Sequence, residues 1–156
     1  MNPECLIFDF GNVVAFLDHH RASRKLAELS GNGMNENDIY TGIFRPGGME
    51  EDYDCGRVTS QEFIQQIKKM FQIQSGDAEV ELAWCNIFWR NESITRLLAE
   101  LHQKSYRLIL ASNTNELHYR WFKKEYAGIL TNFDVEILSY QLGYRKPDKR
   151  FYQNCL

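Results

Sequence analysis

Apolar residues arrive in two rhythms along this chain. Leu6, Ile7 and Phe8 form a short unbroken run that ends in Asp9-Phe10-Gly11-Asn12; a second run, Leu108 to Ala111, leads into Ser112-Asn113-Thr114, and a third, Val135 to Leu138, is followed by Arg145-Lys146-Pro147. Short continuous apolar runs closed by turn residues read as strands buried on both faces. The stretch between the first two has the helical rhythm instead. Leu26 and Leu29 among arginines and lysines predict an amphipathic helix over 18–31, ended by Gly31-Asn32-Gly33, and a weaker one covers 36–44. Arg45-Pro46-Gly47-Gly48 breaks the pattern. Thr59-Ser60-Gln61-Glu62 is then a capping box ahead of Phe63, Ile64, Ile67, Met70 and Phe71, and Gly76-Asp77 opens a helix whose Val80, Leu82, Trp84, Ile87 and Phe88 predict burial on most sides. Helical pattern fills 18–104, with Asn91 or Ser93 as a cap near its end, and a further helix is expected over 116–126.

The resulting order is strand, long helical insertion, strand, helix, strand, helix. That order predicts an α/β fold with a Rossmann-like parallel sheet. The insertion is too long for one crossover helix, so its helices read as a cap seated over the strand ends: core 1–17 and 91–156, cap 18–90, with hinges near 15–18 and 91.

Composition narrows the class. With 156 residues and 44% apolar side chains there is material for one well-filled domain. A net charge of −3, with only the doublets Lys68-Lys69 and Lys123-Lys124 as basic runs, argues against nucleic acid as a partner. No apolar segment approaches the roughly 18 residues that cross a bilayer, and no basic stretch precedes an apolar leader, so no membrane partner is expected and the chain is expected in the cytoplasm. Cys5, Cys55, Cys85 and Cys155 form no CxxC pair and read as free thiols.

A carboxylate, a hydroxyl and a lysine thus stand just beyond three strands, where open α/β sheets keep their ligands. The segments FDFGN, ASNTN and YRKPDKRFY, in this order, resemble the first three motifs of the haloacid dehalogenase superfamily of hydrolases, and ASNTNELH with LGYRKPDKRFY is most similar to the branch that contains bacterial sugar-1-phosphate phosphatases. The resemblance implies that Asp9 is a nucleophile forming an aspartyl-phosphate, that Ser112 and Asn113 grip phosphate, and that Lys146 serves both catalysis and phosphate binding by offsetting negative charge. It also implies Mg²⁺ held by the Asp9 carboxylate and the Gly11 carbonyl, and a small phosphate ester, a phosphosugar above all, as substrate.

Blander readings stand beside these. Asp9 alone could cap a turn, Ser112 and Asn113 could cap a helix, and Lys146 could be a solvated surface residue. Asp18, His19 and His20 stand at the edge of the cap, where they could touch substrate, beside the reading of an N-cap followed by exposed imidazoles; His118 reads as a surface residue; Trp84, Phe88 and Trp89 could line a pocket but at helical spacing read as core; and Glu50, Glu51, Asp52 and Asp54 read as a solvated acidic segment. Two departures from the family pattern matter. Gly11 stands where most members carry a second aspartate, which removes a proton donor and favours good leaving groups such as an anomeric phosphate. The family's fourth motif, which supplies a further acid for Mg²⁺, is expected beyond Leu156, so the sequence reads as a member lacking its last core strands, with weak metal binding, no activity by itself, and a first strand whose open edge favours self-association. A haloacid-type dehalogenase and a catalytically silent binding module are the alternatives.

Overall fold

The three apolar runs are strands of one parallel sheet in the computed structural model, which describes residues 5–31 and 33–155. They are β1 (Cys5–Phe8), β4 (Arg107–Ser112) and β5 (Val135–Leu138), in the order β1-β4-β5. The register sets Phe8 opposite Leu110 and Ser112 opposite Leu138, so Asp9 and Ser112 emerge at the same end of the sheet. Burial follows the pleat. On one face Leu108 and Leu110 pack with Leu98 of α6 (Glu92–Gln103) and Phe122 of α7 (Glu116–Glu125); on the other, Ala111 and Ile137 meet Phe151 of α10 (Lys149–Gln153). Among the described residues β1 pairs only with β4, and Ile7 on it is 47% exposed.

The helical insertion builds a core of its own. Its helices are α1 (His19–Leu29), α2 (Glu36–Phe44), α3 (Met49–Asp54), α4 (Ser60–Phe71) and α5 (Asp77–Cys85). Local chemistry starts them: Asp18 accepts from the His20 N–H, and both Asn35 with Asp38 and Thr59 with Glu62 close capping boxes. Lys68 and Lys69 sit at the negative end of the α4 dipole, and Gln72 ends that helix in the left-handed region at φ 54°. Leu26, Ile39, Ile43, Phe63, Ile67, Phe71 and Trp84 are fully buried against one another, each contributing about 1.5–3 kcal/mol by leaving water. Leu117 of α7 joins this cluster and welds the insertion to the sheet layer.

Several elements differ from the sequence expectation. The helix after Gly76 stops at Cys85, Leu82 on it is 53% exposed, and Phe88 belongs to β3 (Phe88–Arg90), which pairs antiparallel with β2 (Ala15–Leu17). Three-residue strands are shorter than any window in which a period of two shows, so this ribbon leaves no pattern to read. The six-residue α3, with α8 (Ala127–Leu130) and α9 (Ser139–Leu142), escapes for the same reason. Asn32, part of the turn expected after α1, lies outside the described residues. No helix among the described residues is long and apolar enough to cross a membrane.

Candidate active site

Asp9 is held by a tight loop. The Phe10 carbonyl accepts from the N–H groups of Val14 and Ala15 at 2.9 and 3.0 Å, Asn12 takes φ 58° and its side chain accepts from the Leu17 N–H, and Phe10 stacks on Phe122 at 3.7 Å beneath the turn. Asparagine is among the few residues that tolerate that φ. The Asp9 Oδ1 then accepts from the Phe10 N–H at 2.7 Å, which leaves Oδ2 for other partners.

That partner is Lys146. Its ammonium lies 2.7 Å from Asp9 Oδ2 and donates to the Ala111 carbonyl at 2.9 Å, so the cation is fixed between the ends of β1 and β4. Asn113 does the fixing from behind. Its amide oxygen accepts from the Lys146 N–H at 2.8 Å and its amide nitrogen donates to the Lys146 carbonyl at 3.1 Å. Both ends of the Asn113 side chain are therefore spent on the backbone of the lysine segment, whereas the sequence reading gave them to phosphate. Ser139 clasps Thr114 in the same manner, accepting from its N–H and donating to its carbonyl, each at 2.9 Å, which keeps the ends of β4 and β5 together. Pro147 is not the first helical residue: Asp148 caps α10 by accepting from the Arg150 N–H.

Asp9, Gly11, Ser112, Asn113 and Lys146 all line one cavity of about 220 Å³. Its remaining wall includes Glu50, Asp54 and His118, which the sequence reading set apart from the site. Glu50 and Asp54 are not a solvated patch: α3 carries them onto Arg145, whose guanidinium lies 3.1 Å from Glu50 Oε2 and 3.7 Å from Asp54 Oδ2, and Asp54 is only 5% exposed. Burial, then the neighbouring Glu50 carboxylate, push the Asp54 carboxyl well above the ordinary range. His19 is half-buried rather than exposed and packs on Phe44, and burial lowers its pKa.

His118 is the clearest departure, since it is buried, stacked on Trp84 at 4.7 Å, and lowered by that burial to a pKa of about 3. Its neutral ring is fully used. Asn115 Nδ2 lies 3.2 Å from Nδ1 and the Trp84 carbonyl 3.1 Å from Nε2, which assigns the proton to Nε2. Asn115 completes the chain by donating to Asp54 at 2.9 Å while its oxygen accepts from Trp84 and from the His118 N–H. A histidine without Cys or His nearby in sequence gives no sign of such burial. The one available signal was Asn115 itself, a helix cap three residues after β4.

A model of the haloacid dehalogenase-like hydrolases matches residues 3–156. The chain belongs to that family. A D-ribitol-5-phosphate phosphatase of Bacteroides thetaiotaomicron is 29% identical over 149 residues, covering 91% of this chain and 70% of the relative. The crystal structure of an HAD family enzyme of the same organism, in complex with magnesium and inorganic phosphate, superposes with a TM-score of 0.84 at 23% identity, over 97% of this chain and 76% of the other. An HAD-like family hydrolase from Porphyromonas gingivalis gives 0.78 at 22% identity, over 96% and 72%. At these identities the solved structures speak for the fold alone, and they agree with the Rossmann-like α/β assignment. Asp9 and Gly11, the residues expected to offer Mg²⁺ a carboxylate and a carbonyl oxygen, both line this cavity; among the described residues no cluster of three Asp, Glu, His or Cys adds to them.

Proposed function

We propose that this hydrolase is a phosphatase of small phosphorylated metabolites, a sugar or polyol phosphate, working through an aspartyl-phosphate on Asp9. The observation that carries the reading is the Asp9–Lys146 pair at 2.7 Å, at the end of the sheet and inside the cavity that Ser112 also lines. A carboxylate oxygen attacks phosphorus and the bridging oxygen leaves; water then cleaves the acyl-phosphate, dividing one hard displacement into two easier ones. Lys146 offsets the charge that would repel nucleophile from phosphate, and Asn113 fixes it so that no reorganisation is needed during the reaction. The Ser112 hydroxyl and the backbone around Asn113 hold the phosphoryl oxygens. Mg²⁺, held by Asp9 and the Gly11 carbonyl, would neutralise further phosphoryl charge when bound.

Helices α1 to α5, residues 18–90, act in this reading as a cap over a core of 1–17 and 91–156, with the β2–β3 ribbon at the hinge. The polyol or sugar class is supported by the named activity of the D-ribitol-5-phosphate phosphatase relative and by the charged wall of Glu50, Asp54 and Arg145. A cytoplasmic setting suits free Cys5, Cys55, Cys85 and Cys155, and the open β1 edge suits pairing with a second copy.

Phosphate release from p-nitrophenyl phosphate and from polyol phosphates, with and without Mg²⁺, by a full-length form that carries the family's fourth motif, tests the reading. Asp9→Asn is expected to lose more than about 100-fold in kcat while keeping its melt, since an amide cannot attack phosphorus. Turnover retained by that variant removes Asp9 from the role. The silent-module alternative is favoured by Gly11 in the usual acid's place, and absence of turnover on every phosphate ester would select it.

A further inference from the structure

A phosphate ester departs as an alkoxide unless a proton reaches its bridging oxygen, and two positions after Asp9 the chain has only Gly11. The cavity nevertheless contains a carboxyl group suited to that task. Asp54 closes α3 at the wall of the same cavity, deep enough to be nearly inaccessible to bulk water, with Asn115 donating to one oxygen at 2.9 Å and the Arg145 guanidinium 3.7 Å from the other. Arg145 immediately precedes Lys146, so one dipeptide touches both carboxylates, Asp54 and Asp9. The same wall has unfilled hydrogen-bonding capacity. His19 Nδ1 is buried and has no partner among the described residues, which marks this side of the cavity as built to meet a polar ligand.

We propose, resting on the phosphatase reading, that Asp54 is the general acid and base that the nucleophile's own loop lacks. In the first step the Asp9 oxygen–phosphorus bond forms, the bridging phosphorus–oxygen bond breaks, and the Asp54 proton passes to the departing oxygen, giving a neutral alcohol and an Asp54 carboxylate that Arg145 stabilises. In the second step that carboxylate takes a proton from the attacking water, the acyl-phosphate opens to inorganic phosphate and free Asp9, and Asp54 is again protonated. No other reactant is needed. Burial and the adjacent Glu50 carboxylate keep the resting Asp54 protonated farther toward neutral pH than an ordinary carboxyl, while Arg145 and the Asn115 amide limit the rise. The groups facing Asp54 are Glu50 on its own helix, Arg145 from the loop before α10, and Asn115 with His118 behind it from the start of α7. Of these, Glu50 and Arg145 set the pH dependence, because His118 stays neutral.

The test compares leaving groups. The wild-type protein, in a full-length form that carries the family's fourth motif, is assayed with a series from p-nitrophenyl phosphate to alkyl polyol phosphates, beside Asp54→Asn, whose amide oxygen can still accept from Asn115. For the wild type, kcat/KM is expected to depend weakly on leaving-group pKa. The variant is expected to lose about 100-fold or more on alkyl phosphates and at least about ten-fold less than that on the aryl phosphate, with the basic limb of the alkyl pH profile removed. An equal loss on both substrates means that Asp54 only supports the fold and overturns the proposal, as does an unchanged alkyl rate. Should the variant fail to fold, a steep leaving-group dependence in the wild type alone overturns it. A wild type that hydrolyses no phosphate ester sinks the phosphatase reading itself, a result distinct from a phosphatase whose Asp54 is dispensable.

Discussion

Gly56 joins α3 to the segment leading to α4 at φ +64°, and a Cβ built there would stand 2.2 Å from the Tyr140 carbonyl oxygen in α9. Replacing it with alanine imposes two penalties. The left-handed backbone costs an L-residue about 1–2 kcal/mol, and the clash cannot be relieved by rotating a side chain because the obstacle is backbone. Ordinary carbon–oxygen contact needs roughly 1 Å more, so α3 or α9 must move, a strain comparable to overpacking at about 1–3 kcal/mol. Together they predict about 2–5 kcal/mol, and for a chain of this size a fall in Tm of about 5–20 °C. Gly33→Ala supplies the control, since Gly33 also has a positive φ, 71°, but nothing within 4 Å; it should cost only the backbone penalty. Differential scanning calorimetry with a urea titration measures both. Should Gly56→Ala melt within about 2 °C of Gly33→Ala, the packing of α3 on α9 is not as tight as the geometry requires. Because α3 carries Glu50 and Asp54, the variant should also lose activity beyond what its melt explains.

Asn113→Ala removes both hydrogen bonds to the Lys146 backbone, and kcat for phosphate release should fall about 10- to 100-fold with little change in Tm; an unaltered kcat shows that Lys146 is positioned without it. His118 titrates at about 3 when folded against an ordinary 6.5, so between those values the unfolded chain binds a proton that the folded one refuses, and stability falls as pH drops through that window. The His118 share is read as the difference in pH dependence of the urea midpoint between wild type and His118→Phe from pH 7 to pH 5, about 1.4 kcal/mol per pH unit once well below 6.5, because Asp54, held protonated in the folded state, contributes with the opposite sign over the same range. Ile7→Lys places a charge on β1, which among the described residues pairs only with β4, so any concentration-dependent association of the 156-residue chain in sedimentation should revert to an 18.4 kDa monomer; a chain monomeric at every concentration rules out edge pairing.

Apolar rhythm made the three sheet strands and the longer helices legible, because each spans at least one full period of its pattern, and the capping boxes at Asn35 and Thr59 fixed two helix starts from side chains alone. Asp9 and Ser112 could be singled out because a sheet sorts residues by position: Asp9 follows β1, Ser112 ends β4, and the register sets those ends side by side, whereas Lys146 reaches them from beyond α9, the short helix after β5. Asp54 and His118 were invisible for the opposite reason. Each is met by a partner far along the chain, Arg145 for the first and Trp84 for the second. Apart from the Asn115 cap three residues before His118, nothing nearby in sequence tells that their hydrogen bonds will be met out of water.

The chain of buried polar contacts from Asp54 through Asn115 to His118 and Trp84 has a consequence for modularity. Two of its members belong to the inserted helices and two to the sheet layer, and of the four hydrogen bonds made by the Asn115 side chain two cross that border, to Asp54 and to Trp84, while two hold His118 on its own side. A single change there strands a buried donor or acceptor at about 1–3 kcal/mol, so the four positions are expected to drift through evolution as a block rather than singly. Anyone grafting the inserted helices onto another hydrolase to alter its substrate would therefore need to carry Asn115 and His118 along with them, although neither residue lies in the transplanted segment.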